Sequence, residues 1–349
     1  MSQIKLNQIK LSTAPHVHAP RSVETIMFNV VLALLPLCFF SVWQYGLSSA
    51  VLILAVTATC LAVERVFSSQ SGNGNTLGDW SATITGILLA LTLPPNFPLW
   101  MGVVAGFAAM VLGKIMFGGL GYNPFNPALV GRAFVQAAFP STIASFIPAF
   151  APQRFAEFAP STFTMPLMIP ADNSAWIKAA GIDAFTGATP LARWKFENFT
   201  YTAHDFLSGA VTASAGETSA ILILLCGAYL AVRRFMDWRI PVAVLGSAAL
   251  VAWAFQLYNP AHFPSPLLVL LSGGLMLGAV FMATDMATSP VTPLGIWIYG
   301  ALIGVLTIMI RYFGGLTEGV MYAILIGNAV SPLIEKFTQP RSYGAGSKS

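Results

Sequence analysis

Long apolar runs recur along this chain between residues 26 and 337, separated by short polar or glycine- and proline-rich connections. Most runs contain roughly 18 to 25 residues, the length at which a helix crosses a hydrocarbon core about 30 Å thick. The pattern predicts an all-α polytopic membrane protein whose first run is a retained span and not a signal peptide. The ten predicted spans are 26–44, 49–67, 80–94, 98–116, 126–147, 218–236, 240–257, 266–284, 295–313 and 319–337.

One connection, residues 139–217, is far longer than the others and interrupts the series of spans. It is rich in proline and aromatic residues and lacks low-complexity character. We therefore expect an ordered lid packed on the helix bundle and not a disordered linker. The chain then divides into a tail at 1–25, membrane halves at 26–138 and 218–337, and a tail at 338–349.

Five predicted spans precede the lid and five follow it, and the third span of each half is rich in glycine. Gly86 precedes two prolines at 94–95 in the first half, and a Ser-Gly-Gly triplet at 272–274 interrupts the second. An odd number of spans makes duplicated halves inverted in the membrane, and interrupted helices at matching positions indicate a midplane site. The alternative is that glycine and proline are simply common in membrane helices.

Lysine and arginine predict the side of each connection, because basic residues concentrate on the cytoplasmic side. The connections 45–48, 95–97 and 258–265 contain neither residue. Both tails are therefore predicted to be cytoplasmic and the lid extracytoplasmic. Arg311 is the exception, and we expect it to snorkel from the outer end of span nine. The residues assigned to the cytoplasmic side are Lys5, Lys10, Arg21, Arg65, Lys114, Arg132, Arg233, Arg234, Arg239, Lys336, Arg341 and Lys348.

The composition supports the membrane assignment and excludes several functions. Of 349 residues, 56% are hydrophobic and 9% are charged, whereas a soluble domain carries about 25% charged residues. Cys38, Cys60 and Cys226 all fall inside apolar runs, so we expect small buried side chains and no disulfide framework, metal site or iron–sulfur cluster. The net charge of +4 comes from the connections, and neither nucleic-acid binding nor an NAD fingerprint is predicted.

The lid contains the candidate chemistry in the sequence Asp-Ala-Phe-Thr-Gly-Ala-Thr at residues 183–189. Thr186 and Thr189 flank the small residues Gly187 and Ala188, which leave a threonine hydroxyl open to a modifying enzyme. The same residue types also suit an ordinary surface turn, so the motif alone does not distinguish a modified threonine from an unmodified turn.

Residues 181–192 resemble the flavinylation segment of the D subunits of Rnf (Rsx) ion-translocating oxidoreductases. The homologous B subunits of sodium-pumping NADH:quinone reductases share this pattern, but the length of this chain favours the Rnf D subunits. Residues 117–128 and 281–290 resemble the family's loops after spans four and eight, and Ala14-Pro15-His16 resembles its start. Met286 and Ala14 depart from the family, in which we expect proline and serine.

The resemblance implies that Thr189 carries FMN through a phosphoester formed by an extracytoplasmic flavin transferase. Asp183, Thr186, Gly187 and Ala188 would form the recognition and packing surroundings of this threonine. No residue is given a catalytic role, because the flavin performs the chemistry. Two inverted five-span halves suit a urea-channel-like fold. The resemblance also implies a bacterial inner membrane, a second noncovalent flavin of the riboflavin type, and partner subunits that carry extracytoplasmic FMN and iron–sulfur clusters.

Asn123 and Asn126 each precede a proline, so they predict a capped helix. The N-terminus of this helix could bind a carbonyl or anionic group of a cofactor or quinone, or it could have no ligand. Arg132 either pairs with a carboxylate or anchors the cytoplasmic interface. The acids Glu64, Asp79, Asp285 and Glu318 lie near span ends, where they either serve an ion path or are solvated or paired, as Glu64 would be with Arg65 or Lys114.

The preferred hypothesis is a flavin-carrying membrane subunit of an oxidoreductase complex that couples electron transfer to Na⁺ or H⁺ movement. A subunit of this kind is not expected to be active alone. The alternative is a passive channel or solute transporter of urea-channel-like fold. Residues 126–128 read Asn-Pro-Ala, the aquaporin triplet, but the second half has no copy of it.

Overall fold

A computed structural model describes residues 22–70, 76–179, 189–197, 211–217, 219–260, 262–315 and 318–340. All regular structure within these ranges is helical, as the sequence predicts. The helices are α1 (Val23–Tyr45), α2 (Leu47–Gln70), α3 (Ser81–Thr92), α4 (Leu99–Gly113), α5 (Pro127–Ala138), α6 (Pro140–Ile143), α7 (Ser174–Ala179), α8 (Pro190–Glu197), α9 (Ala220–Val232), α10 (Arg239–Tyr258), α11 (Pro266–Leu271), α12 (Leu275–Leu277), α13 (Pro293–Phe313) and α14 (Val320–Thr338).

Six of the described helices are long and apolar enough to cross a membrane. They are α1, α2, α4 with its continuation to Phe117, α10, α13 and α14, and the shorter helices α3 and α9 are also apolar. Large apolar side chains on these helices face outward, including Phe39 at 77% exposure and Leu54 at 69%. An outward apolar surface over an apolar core is what a protein surrounded by lipid requires.

Four predicted spans differ from the helices that form. α3 has 12 residues, which spans only about 18 Å, because two prolines follow at 94–95. α5 ends at Ala138, where Pro140 prevents the helix from continuing unchanged. The predicted bounds 80–94, 126–147, 218–236 and 266–284 are therefore too long for the corresponding helices.

The second half contains a discontinuous helix at the predicted Ser-Gly-Gly triplet. Ser265 caps α11, the chain leaves helical geometry at residues 272–274, and α12 then continues into a π-helical turn at Gly278–Met282. Gly273 has a φ of 66°, which favours a residue without a side chain. The break places unpaired backbone groups inside the bundle, where they need partners from elsewhere in the chain.

The helices α10 and α13 pack closely through small residues. Gly300 and Gly304 are four residues apart on α13 and both face α10. A Cβ atom on Gly300 would lie 2.5 Å from the Cβ atom of Ala243, and one on Gly304 would overlap Ser247 Oγ and the Val244 backbone. This small-xxx-small pattern lets two membrane helices approach closely.

Gly304→Ala is therefore expected to lower the free energy of unfolding by about 1–3 kcal/mol, because the added methyl group meets backbone atoms that move little. Gly246→Ala on α10 is the matched control, since nothing lies within 4 Å of its added Cβ atom. Thermal unfolding of the detergent-extracted protein measures both variants. Equal melting temperatures for the two would show that this helix contact is not tight.

Described parts of residues 139–217 pack against one end of the bundle. Arg154 O accepts from Leu47 N at 3.0 Å, and Thr162 O accepts from Leu99 N at 3.0 Å. Tyr45 donates its hydroxyl hydrogen to Ala213 O, also at 3.0 Å. The ends of α1 and α3 and the starts of α2 and α4 therefore share one side of the molecule with this segment.

Candidate functional site

Thr189 lies at the start of α8 and acts as its N-cap. Its Oγ1 atom accepts from the backbone N–H of Ala192 at 3.4 Å, its carbonyl oxygen accepts from Arg193 N, and Pro190 occupies the first helical position. The residue is 4% exposed. Asp183, Thr186, Gly187 and Ala188 lie outside the described residues.

The position of Thr189 suits a phosphoester. A phosphate on its hydroxyl oxygen would lie at the N-terminus of an eight-residue helix, where free N–H groups and the positive end of the helix dipole stabilise anions. The small neighbours in the sequence predict an open hydroxyl, but the packing of α8 covers it.

Three side chains hold α8 against the bundle. Lys195 Nζ donates to Arg311 O at 2.9 Å and to Gly314 O at 2.5 Å, and burial lowers the pKa of Lys195 from its ordinary value. The Trp194 ring lies 5.6 Å from the Tyr312 ring. Leu191 packs over Gly273, where an added Cβ atom would be 2.9 Å from Leu191 Cδ1. The segment that carries Thr189 therefore rests on the break in the discontinuous helix.

Buried charges lie directly below this contact. Arg311 is 1% exposed and donates to Val269 O at 2.6 Å and Ser272 O at 3.1 Å. The expectation that Arg311 snorkels is therefore wrong, because the carbonyl groups at the break provide partners inside the bundle. Arg132 Nη2 lies 2.7 Å from Glu318 Oε2. Of the two predicted roles for Arg132, pairing with a carboxylate is therefore confirmed.

A separate pocket of about 90 Å³ lies at the other end of α3 and α5. Its walls are mainly apolar, and its polar atoms come from side chains near the α5 N-terminus and the loop after the π-helical turn. Apolar walls with a few convergent polar groups are typical of cofactor sites. Its lining includes Ser81, Ile84, Lys114, Asn123, Asn126, Phe281 and Asp285.

The polar groups of this pocket are fixed by their own partners. Asn126 caps α5 through Ala128 N at 3.0 Å and donates from Nδ2 to Met282 O at 3.3 Å, which confirms the predicted cap. Lys114 Nζ bonds Glu64 Oε1 and Ser81 Oγ, each at 2.5 Å. Of the two predicted partners of Glu64, Arg65 and Lys114, the structure therefore shows Lys114 paired with it. The Lys114 ammonium is a buried cation at the edge of the pocket, and its position is fixed by Glu64 and Ser81.

Sequence reasoning did not single out Glu217 or Ser81. Glu217 is 5% exposed and lies just before α9, where the sequence shows only an acid beside an apolar run. The neighbouring residue Gly216 bonds Leu91 O at 2.7 Å. This contact draws Glu217 into the bundle, and no local pattern reveals it.

Comparison with known proteins identifies the family. The model of the NQR2, RnfD, RnfE family matches residues 10–344. The chain is 35% identical over 353 residues to the D subunit of the proton-translocating ferredoxin:NAD(+) oxidoreductase complex of Clostridium ljungdahlii, covering 98% of both chains. It is 37% identical over 345 residues to the D subunit of the Na(+)-translocating ferredoxin:NAD(+) oxidoreductase complex of Acetobacterium woodii, covering 97% of both chains. It is 36% identical over 349 residues to the D subunit of the ion-translocating oxidoreductase complex of Halorhodospira halophila, covering 96% of this chain and 95% of that one. The chain therefore belongs to the NQR2, RnfD, RnfE family.

Proposed function

We propose that this chain is the flavin-carrying membrane subunit of an oxidoreductase complex that couples electron transfer to Na⁺ or H⁺ movement. The observation that carries the proposal is the match over nearly the whole chain to the D subunits of ion-translocating complexes. A passive channel is not favoured, because these relatives are subunits of redox complexes. Other subunits with iron–sulfur clusters and an extracytoplasmic FMN subunit would exchange electrons with this chain.

We also propose ten spans in two inverted halves. The first half (26–138) would contain α1 to α5, and the second (218–337) would contain α9, α10, the discontinuous α11–α12, α13 and α14. The third member of each half is a short or interrupted helix, as expected for inverted repeats. Residues 139–217 would form the extracytoplasmic lid, and both tails (1–25 and 338–349) would face the cytoplasm across a bacterial inner membrane.

FMN is proposed to be attached to Thr189 by a flavin transferase. The support comes from the resemblance of residues 181–192 and from the cap position of Thr189 on α8. When bound, the flavin supplies the electron-carrying chemistry. The chain holds the phosphate end at the α8 N-terminus, and Lys195 holds α8 on the end of α13.

A second, noncovalent flavin of the riboflavin type is proposed for the pocket beside α5. A flat ring suits its apolar walls, and the ring's polar edge suits the side chains of Asn123 and Ser81 and the Lys114 ammonium. A cation near the ring would favour its reduced, more negative state. The Lys114–Glu64 pair and the Asn126 cap keep these groups in fixed positions.

Ile84→Trp should reduce the amount of this noncovalent flavin, because Ile84 lines the pocket and the larger ring fills part of it. Flavin released by acid extraction of the purified complex measures the loss, while the covalent flavin remains on the chain. Ile298→Trp on α13 is the matched control, since Ile298 is 43% exposed and faces away from the core. Unchanged extractable flavin in Ile84→Trp would argue against this pocket.

The intact mass of the membrane-extracted chain tests the covalent flavin directly. Protein produced together with its flavin transferase should carry the added mass of one FMN, and protein produced without the transferase should lack it. A yellow fluorescent band that survives denaturing electrophoresis should appear only in the first sample. If both samples have the unmodified mass, the covalent-flavin proposal fails.

A further inference from the structure

Three buried charged side chains and one half-buried one, all from distant parts of the sequence, meet beneath α8. They are Arg132 on α5, Glu217 before α9, Arg311 on α13 and Glu318 before α14, two positive and two negative. Arg132 is 6% exposed and Glu217 is 5% exposed. Charged side chains this deep in a membrane protein are costly and are functional candidates by default.

The hydrogen bonds of the cluster leave several atoms without partners. Arg132 Nη2 donates to Glu318 Oε2 at 2.7 Å, and Arg311 donates to carbonyl groups at the helix break. Among the described residues, Glu217 Oε2, Arg132 Nη1 and Arg311 Nε have no hydrogen-bond partner. A network that served only for stability would be expected to satisfy these atoms.

Glu217 and Arg132 both line a small cavity of about 10 Å³ that also includes Glu318, Thr92 and Gly274. A Cβ atom on Gly274 would lie 2.5 Å from Glu217 Oε1, so a glycine is needed for the carboxyl group to reach the helix break. Breaks of this kind hold coupling ions in membrane transporters. The unpartnered oxygen of Glu217 therefore belongs to a cavity at a position suited to ion binding.

We propose that Glu217 is a proton-binding site on the ion path of the complex. The proton bonds to the carboxylate oxygen and forms an O–H group, so the net charge of the cluster rises from zero to one positive charge. Release of the proton restores the carboxylate, and Arg132 Nη1, which lines the same cavity, then pairs with it. Arg132 thus exchanges between Glu318 and Glu217.

A proton fits this site better than a sodium ion. Sodium needs several oxygen ligands, whereas the two guanidinium groups beside the carboxylates repel a further cation. The charged or titratable groups that face Glu217 are Arg132, Arg311, Glu318 and Tyr45, and the Ser214 hydroxyl also lies beside its carboxyl group. A proton needs only the one free oxygen.

The cluster is also placed to respond to charge on the lid. Leu191 contacts the break at Gly273, and an added Cβ atom at Gly273 would lie 3.1 Å from Arg311 Nη2. Thr189 is two residues from Leu191. This link rests on the proposed function, because it requires the flavin on Thr189. A negative charge added at Thr189 would be balanced by a proton on Glu217.

Carbodiimide labelling tests the proton site without an activity measurement. Dicyclohexylcarbodiimide reacts with protonated carboxyl groups in apolar surroundings, so the whole complex in native membranes is treated, digested and analysed by mass spectrometry. Label is expected on Glu217, and it should decrease as the pH is raised and be insensitive to added NaCl. Absence of label on Glu217, or protection by NaCl at constant pH, would overturn the proposal.

Glu217→Gln keeps the size of the side chain but cannot exchange a proton. In proteoliposomes of the complex supplied with reduced ferredoxin and NAD⁺, proton transport per electron should fall about tenfold, whereas the fluorescent covalent-flavin band stays at the wild-type level. Glu157→Gln is the matched control, because Glu157 lies on the exposed surface of the lid, and it should transport normally. Glu217→Asp retains a carboxyl group and should recover part of the transport.

The outcomes separate this inference from the flavin assignment. Normal proton transport per electron in Glu217→Gln would overturn the proton site even if the flavin band is present. A wild-type chain without the flavin band would instead remove Thr189 as the attachment site and leave the labelling result to decide on Glu217. If Glu217→Gln does not assemble, the pH-dependent label on the wild-type complex decides alone.

Discussion

Thr189→Ala is expected to abolish the covalent flavin, because the substitution removes the only side-chain oxygen that could form the phosphoester at this position. In-gel fluorescence should fall to background, and the intact mass should lack the FMN increment. The lost N-cap bond to Ala192 costs only about 1 kcal/mol, so the chain should still fold and insert. Loss of the band would then reflect the missing oxygen and not a missing protein.

Two variants serve as controls for this result. Thr189→Ser keeps both the hydroxyl group and the cap, so it should retain a measurable covalent band. Thr186→Ala should keep at least part of the band, because this threonine is not the proposed attachment point. If Thr189→Ala keeps a full covalent band, the flavin is attached elsewhere and the site assignment is wrong.

The sequence predicts those parts of the fold that depend on neighbouring residues. The apolar runs of α1, α2 and α10 appear close to their predicted bounds, because length and hydropathy are local properties. The Asn126 cap and the break at 272–274 are also predicted, since each depends on a few adjacent residues. The bounds of α3 and α5 are less well predicted, because the prolines at 94–95 and 140 end both helices early.

The candidate site depends on contacts between distant residues, and these were harder to predict. Arg132 and Glu318 are 186 positions apart, and neither has a pattern that selects the other. Glu217 enters the bundle through backbone bonds to the end of α3, which no periodicity indicates. The burial of Thr189 has the same origin, because it results from tertiary packing that the local sequence does not indicate.

Arg311→Met should lower the free energy of unfolding by about 3 kcal/mol or more, because two buried carbonyl groups lose charged donors. Val269 O and Ser272 O lie at the helix break, and Glu217 and Glu318 lose a neighbouring positive charge. Thermal unfolding of the detergent-extracted protein, monitored by size-exclusion chromatography, measures the change. Arg311→Lys should be intermediate, since one ammonium group is less suited than a planar fork to bonding both carbonyls.

Arg233→Met is the matched control, because Arg233 is exposed in the connection after α9 and its loss should change stability by at most about 0.5 kcal/mol. Since Lys195 bonds the carbonyl oxygen of Arg311, a displaced end of α13 would also loosen α8. Arg311→Met should therefore increase proteolysis within the lid at temperatures below global unfolding. If this variant melts like Arg233→Met and its lid is equally protected, the discontinuous helix does not depend on the arginine, and α8 is held by its other contacts.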